Sequence, residues 1–182
     1  MADAVTPRAL DIAARRWFCM LPAATRLSLR GKAPAQAAAG AAFGAAFAET
    51  ACRAVTLGER AALWLGPDEQ LLLAPRAESG ALTQALHSAL AGHAHALVDI
   101  SHRQVALELR GPQGAWLLGA ACPLDLDPSV FPVGMCTRTV FAKAEIVLWR
   151  KAPEVFHVEV SRSFTHYVVA LLDEIARELP GG

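Results

Sequence analysis

A five-residue motif occurs twice in this chain, as Leu27-Ser28-Leu29-Arg30-Gly31 and as Leu107-Glu108-Leu109-Arg110-Gly111, 80 residues apart. Period-2 spacing puts both leucines of each copy on one face of a strand, and the closing glycine permits a sharp exit. Both copies lead into a helical pattern. An Ala-rich stretch at about 34–44 predicts a helix after the first. After the second, Gly111-Pro112 turns the chain into a short helix with Ala115, Trp116, Leu117, Leu118 and Ala121 as its buried stripe, ended by Cys122-Pro123.

Three short strands then come in each half, at 52–57, 61–65 and 69–74 and again at 137–142, 144–150 and 155–160. Each set is followed by a helix, at about 78–90 and 162–179, and Ser161 is placed to cap the second of these. Trp64 and Trp149, and Val55 and Val140, match at an offset of 85, which lays Leu71 and Leu73 on Phe156 and Val158. Repetition of this kind indicates a duplicated unit. The expected fold is α+β: two pseudo-repeated strand, helix, three strands, helix modules, with antiparallel sheets covered by helices. The expected organisation is an N-terminal arm at 1–25, a first half at 26–94 and a second at 95–182. No Pro/Ser-rich linker separates the halves, so they pack as one unit.

Charge narrows the function. Seventeen basic residues balance 17 acidic ones, so nothing draws the chain to a nucleic-acid backbone. Zero net charge on a chain that is 54% hydrophobic favours association with other chains. The four cysteines (Cys19, Cys52, Cys122, Cys136) are widely spaced, as expected of reduced thiols in the cytoplasm. Charges at Asp3, Arg8, Asp11, Arg15 and Arg16 leave only 17–21 continuously apolar, too short for a signal peptide, and the Ala/Gly stretch at 33–48 is too short for a bilayer. No membrane partner is expected.

The chemistry-bearing residues form no complete constellation. On a strand, Asp99 and Ser101 share one face and His102 takes the other, which argues against a triad, and there is no G-x-S-x-G elbow. His93, His95 and His102 lack a carboxylate or thiolate at ligand spacing, so they are expected as solvated loop histidines and no metal is expected. L-R-G-P-Q-G-A lacks the G-x-G-x-x-G pattern and the lysine of a phosphate loop. Arg15, Arg16, Trp17 and Phe18 make the arm adhesive, a composition suited to an interface or to folding back on its own domain. His102, Arg103, Arg138 and Arg162 are further candidates for contacting a partner, or for pairing with acids inside the fold.

The runs D-I-S-H-R at 99–103, L-R-G-P-Q-G-A-W-L-L at 109–118, C-P-L-D-L at 122–126, F-P-V-G-M-C-T-R-T at 131–139 and R-S-F-T-H-Y at 162–167 carry a family resemblance. Over about 27–178 the chain resembles the gamma subunit of heterotetrameric sarcosine oxidase. More distantly it is similar to the folate-binding fold of the glycine-cleavage T protein, the aminomethyltransferase. The resemblance implies a mainly structural subunit of a complex that oxidises sarcosine to glycine, forming hydrogen peroxide and 5,10-methylenetetrahydrofolate. It implies alpha, beta and delta partners, with FAD, FMN, NAD and tetrahydrofolate belonging to the complex and none bound by this chain alone.

The T protein has Asn-Asp-Val after the equivalent helix, its aspartate acting near the folate amine. This chain has Leu124-Asp125-Leu126, so Asp125 is the candidate acid while the asparagine is missing, and an aspartate in a Pro-bounded turn also serves to cap backbone donors. The T protein's paired acids give way here to Lys143-Ala144-Glu145. The alternatives are a stand-alone folate-binding or aminomethyltransferase-like protein using Asp125, and the small subunit of a related N-methyl amino-acid dehydrogenase.

Overall fold

The computed structural model describes residues 17–179. A short strand β1 (Phe18–Met20) precedes β2 (Ala24–Gly31), which carries the first motif copy and leads into α1 (Ala33–Phe43). Pro34 lies in the first turn of α1, where its missing N–H has no cost, and Gly44 closes the helix at φ 98°. Strands β3 (Ala54–Leu57), β4 (Arg60–Gly66) and β5 (Glu69–Pro75) come next, then α2 (Ser79–Leu90), which buries Leu82, Leu86 and Leu90 at helical spacing.

The second half runs β6 (His95–Asp99), β7 (Gln104–Arg110), α3 (Gly114–Gly119), β8 (Cys136–Phe141), β9 (Ala144–Ala152), β10 (Val155–Ser161) and α4 (Thr165–Ala176). One turn of 3-10 helix introduces α2 at Arg76–Glu78 and α4 at Arg162–Phe164, so the duplication reaches even this detail. The Ser161 side chain makes no cap. Backbone bonding closes the turn instead, through the Thr165 N–H donating to the Arg162 carbonyl.

The two five-stranded antiparallel sheets have the orders β3-β4-β5-β2-β6 and β8-β9-β10-β7-β1, the same winding with β3, β4, β5 and β2 matched by β8, β9, β10 and β7. Leu27, Leu29, Leu72 and Ala74 pack under α1 and α2, while Leu107, Leu109, Ile146, Leu148, Phe156 and Val158 pack under α3 and α4. Between the sheets lies a third core of Ala61, Leu63, Leu71, Leu73, Cys136, Val147 and Trp149. The molecule is therefore four layers, helices on sheet on sheet on helices.

The outer strand of each sheet comes from across the boundaries that the sequence suggests. β6, at the start of 95–182, hydrogen-bonds to β2 of the first sheet. β1, inside 1–25, hydrogen-bonds to β7 of the second, with Phe18 opposite Leu109.

Register sorts the proposed repeat anchors. Leu72 lies opposite Leu27 and Ala62, and Val158 lies opposite Leu107 and Leu148, so the two motif copies occupy equivalent places. Trp64 and Trp149 do not. Trp149 points between the sheets, whereas Trp64 lines a hollow beside α1 with Ala33 and Phe47. Leu71 and Leu73 likewise face the partner sheet while Phe156 and Val158 face the helices. An offset of 86 restores every face in β5 and β10; a slip of one residue reverses them all. Val55 sits opposite Ala62 but Val140 opposite Glu145, so that anchor also lacks equivalence. The motif glycines differ in their reasons. Gly111 has φ 96°, whereas at Gly31 an added Cβ would lie 2.7 Å from the Ala35 Cβ, a place closed by helix packing.

Candidate functional site

The alternation that buries leucines under the helices turns the intervening side chains toward the other sheet. On β2 these are Arg26, Ser28 and Arg30, and on β10 they are His157 and Glu159. Arg26 Nε donates to Glu159 Oε2 at 2.5 Å, and His157 Nε2 is 2.8 Å from Glu159 Oε1. All three residues are buried. Burial alone would raise the Glu159 carboxyl, but the hydrogen bonds and charges of His157 and Arg26 outweigh it and hold the group below the ordinary range. One carboxylate thus ties the first sheet to the second.

A second ionic group lies elsewhere between the sheets. Glu69 on β5 accepts from Arg30 of its own sheet at 2.8 Å and from Arg138 on β8 of the other at 2.7 Å, with Glu145 at 3.6 Å from Arg138. Burial opposes ionisation of Glu69, and the two guanidinium groups more than compensate, keeping its carboxyl low. Glu108 on β7, burdened by burial in the same way, is kept low by Arg110 and Lys151.

The sequence candidates separate once folded. Arg15 and Arg16 lie outside the described residues. Phe18 is 3% exposed in the core under α3 and α4, with Trp17 packed against the same cluster, so these two aromatics serve the chain's own interior. Arg138 joins the two sheets through Glu69. His102, Arg103 and Arg162 are exposed and adjacent: the Arg162 Nε–H donates to the His102 carbonyl and its backbone N–H to the Arg103 carbonyl. Asp99 does not approach a catalytic Ser–His pair. Its Oδ1 accepts the Ser101 N–H, and its carboxyl is held low chiefly by hydrogen bonding from the Ser101 side chain, with that backbone bond adding to it, while Ser101 Oγ accepts the Arg26 N–H.

Asp125 Oδ1 accepts the Asp127 N–H at 2.9 Å, and Asp127 in turn accepts from Ser129, so the stretch is a pair of successive Asx turns. The shallow groove beside it is lined by Asp125, Asp127, Glu154 and Arg150. Arg150 directs its guanidinium at the carbonyls of Leu126, Phe131 and Pro153. The groove therefore presents acids, and its one cation is already engaged with backbone carbonyls.

Arg26, His157 and Glu159 escape a reading of the sequence alone. The signal was present: His157-Val158-Glu159-Val160 alternates like a half-solvated strand, yet both of its faces are covered here. Among the described residues no cluster of three or more histidine, cysteine or acidic side chains is placed to hold a metal, and no helix is long and apolar enough to cross a membrane.

Residues 30–178 match the model of the sarcosine oxidase, gamma subunit family. The chain is 35% identical over 122 residues to sarcosine oxidase subunit gamma of Corynebacterium sp. (strain P-1), covering 65% of this chain and 59% of that one. Against the Arthrobacter sp. subunit gamma the figures are 36% over 118 residues, 65% and 57%. The matches thus span less than two thirds of these relatives' length. Among solved structures, heterotetrameric sarcosine oxidase from Corynebacterium sp. U-96, in complex with pyrrole 2-carboxylate, aligns with a TM-score of 0.83 at 32% identity over 88% of this chain and 83% of that one. Aminomethyltransferase T from Bartonella henselae aligns with a TM-score of 0.66 at 14% identity, over 85% of this chain and 44% of that one, a likeness of fold. With a family match across most of its length and the duplicated two-sheet fold beneath it, the chain belongs to the sarcosine oxidase gamma subunit family.

Proposed function

We propose that this chain is the gamma subunit of a heterotetrameric sarcosine oxidase, acting mainly as a structural subunit among alpha, beta and delta partners in the cytoplasm. The complex would oxidise sarcosine to glycine with formation of hydrogen peroxide, and pass the one-carbon unit to tetrahydrofolate. FAD, FMN and NAD would be held by the larger chains.

The observation that carries this reading is the alignment with the heterotetrameric enzyme across 88% of the chain. The internal chemistry agrees. Arg26 with Glu159 and Arg138 with Glu69 are engaged across the sheets, flanked by His157 and Arg30, in the manner of a brace. The exposed His102, Arg103 and Arg162 are the proposed partner contacts, with Arg15 and Arg16 of the arm. The test is capture of tagged chain from a host grown on sarcosine, read by mass spectrometry and visible absorbance. Co-purifying larger chains with a flavin spectrum support the reading, and a colourless chain eluting alone defeats it. Substrate profiling of the captured complex separates sarcosine from another N-methyl amino acid.

The second reading, folate chemistry at Asp125, is favoured by the acid retained after α3. Its Asx turn favours a structural role. Asp125→Ala is expected to leave turnover of the assembled oxidase unchanged within about twofold, because the turn contributes only about 1 kcal/mol to local stability. A loss of methylenetetrahydrofolate formation with sarcosine oxidation intact would instead assign Asp125 to the transfer step.

A further inference from the structure

Strands β5 and β10 leave their sheets at one end of the molecule, through the 3-10 turns that begin at Arg76 and Arg162. The turn joining β6 to β7 closes the same end. There the Ile100 N–H donates to the Arg26 carbonyl of the first sheet, and the Arg103 carbonyl accepts the Arg162 N–H of the second. Arg76 follows Pro75, which lies opposite Ala24 at the start of β2. Arg76, His102, Arg103 and Arg162 are thereby gathered on one surface, and all four are exposed.

Among the described residues, none of the three guanidinium groups has a carboxylate within ion-pair distance. The acid beside them is Asp99, close enough for the charges of Arg76 and His102 to help hold its carboxyl low, and its Oδ1 already accepts the Ser101 N–H. The whole chain has a formal charge of zero, so this end holds a local excess of positive charge.

Two aromatic rings stand beside these cations, where η-type winding passes into α4. Phe164 is 41% exposed and Tyr167 37%, and they meet edge to face with centroids 6.4 Å apart. Each holds the other in place, so little side-chain freedom is left to lose on binding. Exposed aromatics next to arginines are the composition of the strongest contacts between proteins. A nucleic acid would call for a basic balance over the whole chain, and there is none.

Resting on the subunit role proposed above, we propose that this end docks an acidic segment of a larger subunit. Its carboxylates pair with Arg76, Arg103 and Arg162, whose planar forks match a carboxylate, and an apolar side chain of the same segment sits on the Phe164–Tyr167 pair.

The test uses the complex captured by tagged full-length chain. Arg103→Lys and Arg162→Lys keep the charge and introduce a primary amine that carbodiimide can join to a touching carboxylate. Mass spectrometry of the treated complex should show a cross-link from either introduced amine to an aspartate or glutamate of a partner chain. Phe164→Ser combined with Tyr167→Ser, both at exposed positions, should lower recovery of that partner at least tenfold. Lys32→Glu, exposed at the far end of β2, should change it by less than twofold. Partner chains retained without such a cross-link, or retained in full by the aromatic double variant, would overturn the acidic dock and leave the subunit role standing. Nucleic acid or phospholipid captured in place of protein chains, or no partner at all, would overturn both.

Discussion

At Glu159 a single carboxylate accepts from Arg26 of one sheet and His157 of the other. Removing its charge strands a buried guanidinium. Glu159→Gln is therefore expected to destabilise the chain by about 3–5 kcal/mol, read as a lowered midpoint in denaturant titration. An unchanged midpoint would mean that the pair contributes nothing beyond its own desolvation. Cysteine reactivity is a second residue-scale matter. Burial pushes the Cys136 thiol up to about 12, so it stays protonated and inert at neutral pH. Cys122 is buried as well, whereas Cys19 and Cys52 are half-buried. Iodoacetamide mapped by mass spectrometry should label Cys19 and Cys52 first. Early labelling of Cys136 would show that the core between the sheets opens readily.

Among the elements, the strands exchanged between the sheets matter most. β2 has β6 on its outer edge, and β7 has β1, whose Phe18 completes the core under α3 and α4. A fragment of residues 26–94 would expose the β2 edge, and one of 95–182 would lack Phe18 while carrying β6 without its sheet. Neither fragment is expected to give a cooperative thermal transition by circular dichroism, because an unpaired edge and an open core are both unfavourable. Cooperative folding of either alone would show that the exchanged strands are dispensable. The element pattern itself was legible: all eight repeat strands and the four helices fall where apolar spacing, Gly and Pro put them. The register was not. Matching Trp64 to Trp149 relied on identity, and identity carries no information about which face of a strand is inward.

For the whole molecule, ionic groups lie between the two sheets, and their carboxyls share one direction. Glu69, Glu108 and Glu159 are all held below their ordinary value in the folded state. A carboxyl depressed by folding contributes stability that is fully present above its unfolded value, about 4.3 for glutamate, and is lost as pH falls through the folded value. Stability should accordingly be flat from neutrality down to about pH 5 and drop steeply below it. Thermal melts across that range check this, and Glu159→Gln should flatten part of the acid limb. A chain whose melting point does not change down to about pH 3 would contradict the arrangement.

The sequence by itself determined the duplicated α+β plan, the leucine faces of β2 and β7, and the family resemblance. Each of these is written in local spacing or in contiguous runs of residues. Only the tertiary structure decided which residues come together between the sheets. Arg26 and Glu159 are 133 positions apart and Glu69 and Arg138 are 69 apart, and no local pattern links them. Glu159 alternates with valines in the way a solvent-facing position does, and becomes a buried charge because a second sheet covers the face that alternation would leave to water. Pairing of β1 with β7 moved Phe18 from adhesive arm to the core under α3 and α4, and the stacking of the sheets buried Trp149 and His157 between them.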